Sequence, residues 1–450
     1  MRHPELQTKL LGLLGVPGSQ AGLSLLLEEV QPFDLAQVLP ELTEAQAQRV
    51  LAALPASAAA EVVEHLEYLY QYRLLHHMEE PVARSILEQM SSDAIADLAG
   101  ALHPKQAQLL LNLLPPDYAA TIRGLMSYPE NTAGGRMTVE YLSVRQTVAV
   151  EQVLEHIRKV GRDAETITYI YVVDSAGRLV GIVSLRELLL AAPYTAIADM
   201  MNTKVMSVPA AMDQEEVARV VAEYDFVAIP VVDDQRRLVG IITVDDLVDV
   251  MRDEATEDIQ KLGGSEPLSE SYFHTPIHVL VKKRIGWILV LFLAEAYTGT
   301  VLRHFEATLA QAVSLTFFIP LLIGTGGNTG SQIVTTLVRG LAVGDVQFRD
   351  MVRVLMREVA TGLLIGAVMG ITTLMRAYTL GVGPDIGPVV AVTAVFIVVW
   401  ASIVAAVLPL VIHRLKIDPA VVSGPFITTL VDGTGLFMYF TVARYMLHLS

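Results

Sequence analysis

Gly324-Thr325-Gly326-Gly327-Asn328-Thr329-Gly330-Ser331-Gln332 lies just after Pro320, inside apolar sequence of membrane length. A second polar stretch, Ile427-Thr428-Thr429-Leu430-Val431-Asp432-Gly433-Thr434-Gly435, is centred on an acid. An ionisable residue at membrane depth is costly and usually faces a water-filled pathway. Glycines at this density loosen a helix and let other backbone approach closely. Irregular backbone is tolerated in a bilayer only where it is buried in protein or lines a cavity. Neither stretch has a nucleophile–base pair or a lysine-containing phosphate loop. The two therefore read as the wall of an ion path, with Gly324, Gly327, Asn328, Thr428 and Asp432 lining it. The competing reading makes Asp432 a structural residue, hydrogen-bonded to Thr434 or Thr428.

Working outward, apolar stretches run at 285–302, 312–342, 354–380, 388–412 and 420–448. Each is long enough for a span of about 20 residues. Lys282-Lys283-Arg284 precedes the first, Arg339, Arg349, Arg353 and Arg357 follow the second, and Arg414 and Lys416 follow the fourth. The segments on the other side hold only Arg303, Arg376 and Arg444. The positive-inside rule then predicts a multi-pass protein of the cytoplasmic membrane, its N-terminal domains in the cytoplasm and its C-terminus outside. No charged–apolar–small pattern of a cleaved signal opens the chain. Gly362, Gly366 and Gly370 form a small-residue line for close helix packing. Pro320, Pro409 and Pro425 are expected to kink the second, fourth and fifth spans.

The chain has 450 residues and a formal net charge of −16, unevenly divided. From Tyr272 onward the balance is +4, which leaves −20 on residues 1–271. So acidic a soluble part argues against a nucleic-acid partner and for cations. There is no cysteine, hence no disulfide framework and no cysteine-based zinc site.

Residues 1–130 read as amphipathic helices broken by proline, with a repeat at a spacing of 60 residues. Gln46-Ala47-Gln48, Leu51 and Leu54-Pro55 recur as Gln106-Ala107-Gln108, Leu111 and Leu114-Pro115. Stacked helical pairs in a small superhelical domain fit this pattern. Asp93 and Asp97, four apart, project from one helix face, and Glu61 belongs to the other repeat.

A second repeat occupies 131–244. Val172-Val173-Asp174, Leu179-Val180-Gly181-Ile182-Val183-Ser184 and Leu188 recur 59 residues later as Val231-Val232-Asp233, Leu238-Val239-Gly240-Ile241-Ile242-Thr243 and Leu247. Each copy reads strand, polar turn, strand, helix. The pair resembles tandem CBS domains, which commonly bind adenine nucleotides between the copies. That resemblance implies ribose and phosphate contacts from Ser184 and Glu187, and from Thr243 and Asp246, with Arg186 beside the phosphates. Tyr169 and Phe226 sit where an adenine would stack. Glu187 stands where the family usually has Asp, and a purely mechanical pair is the alternative.

Asp245, Asp246, Asp249, Asp253, Glu254, Glu257 and Asp258 then recur at three- and four-residue steps, a carboxylate stripe along one helix face. Gly263-Gly264 is a natural C-terminal stop.

This order looks like the MgtE family of magnesium channels and transporters over the whole chain. It comprises an all-α superhelical domain (1–130), two α/β CBS domains (131–198 and 199–244), an acidic connecting helix (245–270) and an all-α domain of five spans (271–450). The glycine–asparagine stretch and the span-five Asp are the specific features. The resemblance implies a homodimer with its pore between the two membrane domains and Asp432 at the constriction. It also implies that cytosolic Mg²⁺ binds the acidic surfaces and closes the pore. The matching acids are Glu61, Asp93 and Asp97, then Glu215, Asp225, Asp246 and Asp249, and finally Glu254, Glu257, Asp258 and Asp418. Mg²⁺ would thus be both transported and regulatory, and ATP a candidate second ligand. No residue is expected to be catalytic. Independently, Mg²⁺ prefers octahedral oxygen ligands and sheds water reluctantly, which suits facing carboxylates in a pore without His or Cys. Co²⁺ or Mn²⁺ transport, and a non-conducting CBS receptor, are the competing functions.

Overall fold

A computed structural model describes residues 3–15, 20–162, 164–268, 272–273 and 275–449. It divides into two compact units, residues 1–251 and 252–450.

The first unit begins with short helices, and the 60-residue repeat is visible in how they start. Gln46 caps the helix Glu44–Ala53, accepting from the Thr43 backbone N–H at 3.0 Å. Gln106 does the same for Pro104–Leu111, accepting from the His103 N–H at 3.3 Å. Pro55 and Pro115 then precede the helices Ala56–Glu64 and Pro116–Leu125. Proline suits these N-cap positions because the N–H it lacks would have no helical partner there. The apolar faces of these helices share one core with Val217, Val221, Ile229, Val231 and Ile242 of the second α/β copy.

The two α/β copies are congruent. Strands β1 (Ser143–Arg145), β2 (Tyr169–Val173) and β3 (Leu179–Ser184) form one sheet; β4 (Val208–Pro209), β5 (Ala228–Val232) and β6 (Leu238–Thr243) form the other. In both, the first pairing is parallel and the second antiparallel, with Tyr169 opposite Ser184 and Ala228 opposite Thr243. The turns are built alike. Asp174 Oδ1 accepts from the Ala176 and Arg178 N–H groups, as Asp233 Oδ1 does from Gln235 and Arg237. The copies join edge to edge, the Leu179 N–H donating to Arg236 O at 3.0 Å and the Leu238 N–H to Gly177 O at 3.1 Å.

The acidic segment is one helix, Val244–Leu262, stopped by Gly264 at φ +74°, a conformation glycine adopts freely. In the second unit, Ile277–His304, Phe348–Leu380, Ile386–Arg414 and Gly424–Leu447 are long and apolar enough to cross a membrane. Ile319–Ala342 also has the length, at 24 residues, but carries the glycine–asparagine stretch. Four of the five expected spans thus stand out by length and hydropathy, and the second is a helix of span length; the five are called the first to fifth membrane helices in chain order. Pro409 lies inside the fourth, as expected. Pro320 and Pro425 do not kink anything; they occupy the first turns of the second and fifth helices. Those helices start later than the apolar runs, because Val313–Phe318 and Pro419–Val421 are separate 3₁₀ turns.

The glycine line of the third helix faces the fourth. A Cβ at Gly366 would stand 3.1 Å from Val395 Cα, and one at Gly370 2.9 Å from the Ala391 carbonyl. The obstruction is backbone, which cannot swing aside. Gly370→Leu is therefore expected to destabilise the membrane unit by about 1–3 kcal/mol, the usual cost of overpacking. Thermal unfolding of the full-length protein in detergent measures this, as a lower midpoint than that of the conservative control Val368→Ile.

Candidate ion-path and cation-sensing sites

The glycine–asparagine stretch stays α-helical throughout, so the sequence-based expectation of a loosened helix is not met. Its glycines act through close approach instead. A Cβ at Gly326 would meet Ile397 at 2.6 Å and Val431 at 2.8 Å, and one at Gly327 would meet Thr428 Cγ2 at 2.8 Å. Gly327 is thus buried against Thr428 within the subunit. Gly324 has open space beside it, and Asn328 is exposed. Ser331 Oγ lies 3.3 Å from both Thr428 Oγ1 and Gly424 O, fastening the second helix to the start of the fifth.

Asp432 Oδ1 is buried and has no hydrogen-bond partner. The hydroxyls that a structural Asp432 would use are engaged elsewhere. Thr428 donates to Gly424 O at 3.0 Å, and Thr434 donates to Leu430 O at 2.7 Å while accepting from Trp400 Nε1 at 2.9 Å. Native buried polar atoms are nearly always paired, so an orphaned carboxylate oxygen marks a place for a ligand or water.

In the first unit the fold gathers acids far apart in sequence. Asp93 and Asp97 share the electrostatic field of Asp246, as do Glu64 and Glu165. Burial leads every shift. It raises Asp93 well above the carboxylate range, takes Asp97 to about 6 despite Arg136, takes Glu165 to about 7, and raises Glu64 and Asp246. Arg136 bonds Asp97 Oδ2 at 3.0 Å, and Asp93 Oδ1 is buried without a partner. Glu61 acts on Glu64, and Asp249 on Asp246, from the exposed rim. Glu64, Glu140 and Glu165 escaped sequence reading because no local spacing links them to the stripe. Glu140 accepts from Ser92 Oγ at 2.5 Å and from Tyr118 OH at 3.3 Å. Glu215 and Asp225 flank an 11-residue helix, one in its first turn and the other its left-handed C-cap, about 15 Å apart along the axis. Among the described residues, no three acidic or imidazole side chains of the single chain converge on one coordination point.

These shifts give a pH dependence. A carboxyl whose folded pKa is raised binds its proton more tightly in the folded state. Stability is then retained at low pH and lost as pH rises from about 4, the unfolded value, through the folded values near 6 and 7. In divalent-free buffer, amide exchange of the helix Ser92–Ala101, corrected for intrinsic rates, should be faster at pH 8 than at pH 5.5. Equal protection at the two values would contradict the repulsion.

In the second unit, Lys261 sits among the acids. Its Nζ pairs with Asp418 Oδ2 at 2.6 Å and also with Glu257. Asp258 is raised by burial first and by Asp418 second. The acids Glu257, Asp258 and Asp418 are thus brought together, with Glu254 adding its charge and a lysine already among them.

In the α/β copies the hydroxyl-x-x-acid motifs form local bonds. Ser184 Oγ donates to Glu187 Oε2 at 2.7 Å and caps the helix Leu185–Leu190; Thr243 Oγ1 donates to Asp246 Oδ2 at 2.6 Å. Phe226 stacks on Tyr224 at 5.5 Å, Tyr169 starts β2 half-buried, and Arg186 is exposed.

Apolar helices long enough to cross a membrane, following helical and paired α/β modules rich in acids, are the architecture of a multi-pass membrane protein with appended soluble domains. The chain matches the family models for the divalent cation transporter MgtE at 319–442, the MgtE intracellular N domain at 30–131, and the CBS domain at 134–194 and 197–253. It is 44% identical to the magnesium transporter MgtE of Thermus thermophilus over 96% of each chain. A crystal structure of the soluble part of a magnesium transporter aligns with a TM-score of 0.53 at 33% identity, over 56% of this chain and 100% of that one. The cytosolic domain of the Mg²⁺ channel MgtE in complex with ATP aligns at 46% identity over 50% of this chain and 93% of that one, with a TM-score of 0.49. The chain belongs to the MgtE family of magnesium transporters, and it is a multi-pass membrane protein with an intracellular N domain rather than an enzyme.

Proposed function

We propose that the protein imports hydrated Mg²⁺ through a pore between the membrane domains of two copies. Asp432 supplies the charge at the constriction, and Asn328, Gly324 and Thr428 line the path. The observation that carries this is the buried, unpartnered Asp432 oxygen beside a second helix packed closely through its glycines. A hydrated divalent ion satisfies such an oxygen through its water shell, without the dedicated cage that Mg²⁺ rarely uses. Flux into liposomes, with Mg²⁺, Co²⁺ and Mn²⁺ compared, tests the reading. A protein that moves none of them would be a receptor only.

The same reading extends to regulation. Cytosolic Mg²⁺ binds at Asp93, Asp97 and Asp246, with Glu61 and Asp249 at the rim, and at Glu215 and Asp225. It binds also at Glu254, Glu257, Asp258 and Asp418, and closes the pore. The orphaned Asp93 oxygen and the mutual repulsion of its neighbours support the first of these groups. Since no three acids among the described residues converge within one chain, these ions are held through water or between copies.

ATP is the proposed second ligand, stacked between Tyr169 and Phe226, with Ser184, Arg186, Glu187, Thr243 and Asp246 around its ribose and phosphates. Saturating ATP at 100 times its Kd should stabilise the protein by about 2.7 kcal/mol and raise Tm accordingly. Phe226→Ala should remove that rise. No shift in the unaltered protein would leave the CBS pair a mechanical element.

A further inference from the structure

We propose that Glu295 and Thr298, on the first membrane helix, complete a divalent-cation site with Asp432. The proposal rests on the reading of Asp432 as the pore carboxylate and extends it to a helix that no sequence motif marks.

Glu295 lies eleven residues beyond Arg284 and eight before Arg303. That places it about 16 Å along the helix from the first arginine and about 12 Å from the second, near mid-membrane. A second carboxylate at such depth is expensive unless it meets a counter-charge. Glu295 makes no hydrogen bond or ion pair among the described residues. The charge that acts on Asp432 is that of Glu295.

Thr298 is the independent sign of a ligand. Most membrane threonines here return their hydroxyl to the carbonyl four residues back, as Thr300, Thr325, Thr329, Thr372 and Thr434 do. Thr298 does not. It is 8% exposed, and its Oγ1 is buried without a partner. That oxygen lies 3.2 Å from where a Cβ on Gly433 would stand, next to Asp432 in the chain, and Tyr297 packs on the same glycine. Glu295 is one turn below Thr298 on the same helix face. The first and fifth helices therefore meet with two orphaned oxygens, on Thr298 and Asp432, and a carboxylate that has no cation. Two acids and a hydroxyl are oxygen ligands of the kind Mg²⁺ accepts, directly or through its waters. Anions and soft metals are excluded by the same donor set.

The test is Mg²⁺ uptake by full-length protein in liposomes over a range of external Mg²⁺, with Asp432→Asn, Glu295→Gln and Glu295→Asp alongside the unaltered chain. Removing one unit charge from the site should raise the half-saturating Mg²⁺ concentration of Glu295→Gln at least about tenfold. Glu295→Asp keeps the charge and should saturate near the unaltered value. If Glu295→Gln saturates normally while Asp432→Asn is dead, the Glu295 site is overturned and the pore reading stands. If Glu295→Asp is as impaired as Glu295→Gln, the role is packing and the site is again overturned. Full flux in Asp432→Asn would remove the pore reading and this site with it.

Discussion

Asp432→Asn is expected to lose nearly all Mg²⁺ flux while the protein still folds. The substitution keeps the side chain's size and removes its charge. Its neighbours have no hydrogen bond to surrender, since Asp432 Oδ1 has no partner within the subunit. Neutralising a half-buried acid whose buried oxygen pairs with nothing should be neutral or stabilising for the fold, because the cost of burying charge falls. The loss therefore falls on the ion alone. At an effective dielectric near 20, a single charge a few ångströms away is worth several kcal/mol to a divalent cation, or more than a hundredfold in occupancy. Uptake into liposomes together with thermal unfolding in detergent separates the two effects. Unaltered flux in Asp432→Asn would end the assignment. A collapse of stability along with flux would return Asp432 to a structural role.

The second large effect concerns closure by cytosolic Mg²⁺. Residues 1–271 carry −20 per chain, hence −40 in the proposed dimer. Within the first unit this charge is concentrated where burial raises the pKa of Asp93, Asp97, Glu64, Glu165 and Asp246, and the charge of Asp246 adds to the rise at the other four. Without divalent ions that region should open readily, and Mg²⁺ should replace repulsion by shared coordination. A ligand shifts such an equilibrium only through its differential affinity for the closed state. Protection of residues 1–271 from protease should therefore rise as Mg²⁺ passes through the millimolar range, about where weak oxygen sites bind. Potassium at matched ionic strength should not reproduce it, because screening acts on all charges alike. Neutralising Asp93 and Asp246 together should remove the protection. Neutralising Glu254, Glu257 and Asp258 should leave the pore conducting at high Mg²⁺. Among these three, Glu257→Gln should matter least, since Lys261 already neutralises Glu257. Equal protection in both salts, or normal closure of the neutralised variants, would reduce the acids to a solvated surface.

Much of the protein is determined by the sequence alone, because its signals are local and periodic. The 59-residue α/β repeat carries its own turns: Asp174 and Asp233 each bond two backbone N–H groups a few residues on, so two congruent units follow from spacing. The Gly362, Gly366 and Gly370 line predicts close helix packing, since a missing Cβ is a property of the residue itself. The family resemblance follows from the order of these parts together with Asp432. Other features are settled only by tertiary structure. Pro320 and Pro425 look like kinks until the helix starts are located, because hydropathy does not distinguish a 3₁₀ lead-in from a span. The glycine–asparagine stretch looks irregular in isolation, but packing against Ile397, Thr428 and Val431 holds it helical. Glu64, Glu140 and Glu165 join Asp93 and Asp246 across gaps that no periodicity reports. Lys261 enters an acidic group from a helix whose charge pattern is read as carboxylate alone. Glu295 and Thr298 come beside Asp432 because the first and fifth helices touch at Gly433, a contact between residues more than 130 positions apart. Chemistry along one helix is written in its repeat; chemistry between helices depends on which faces meet, and packing decides that.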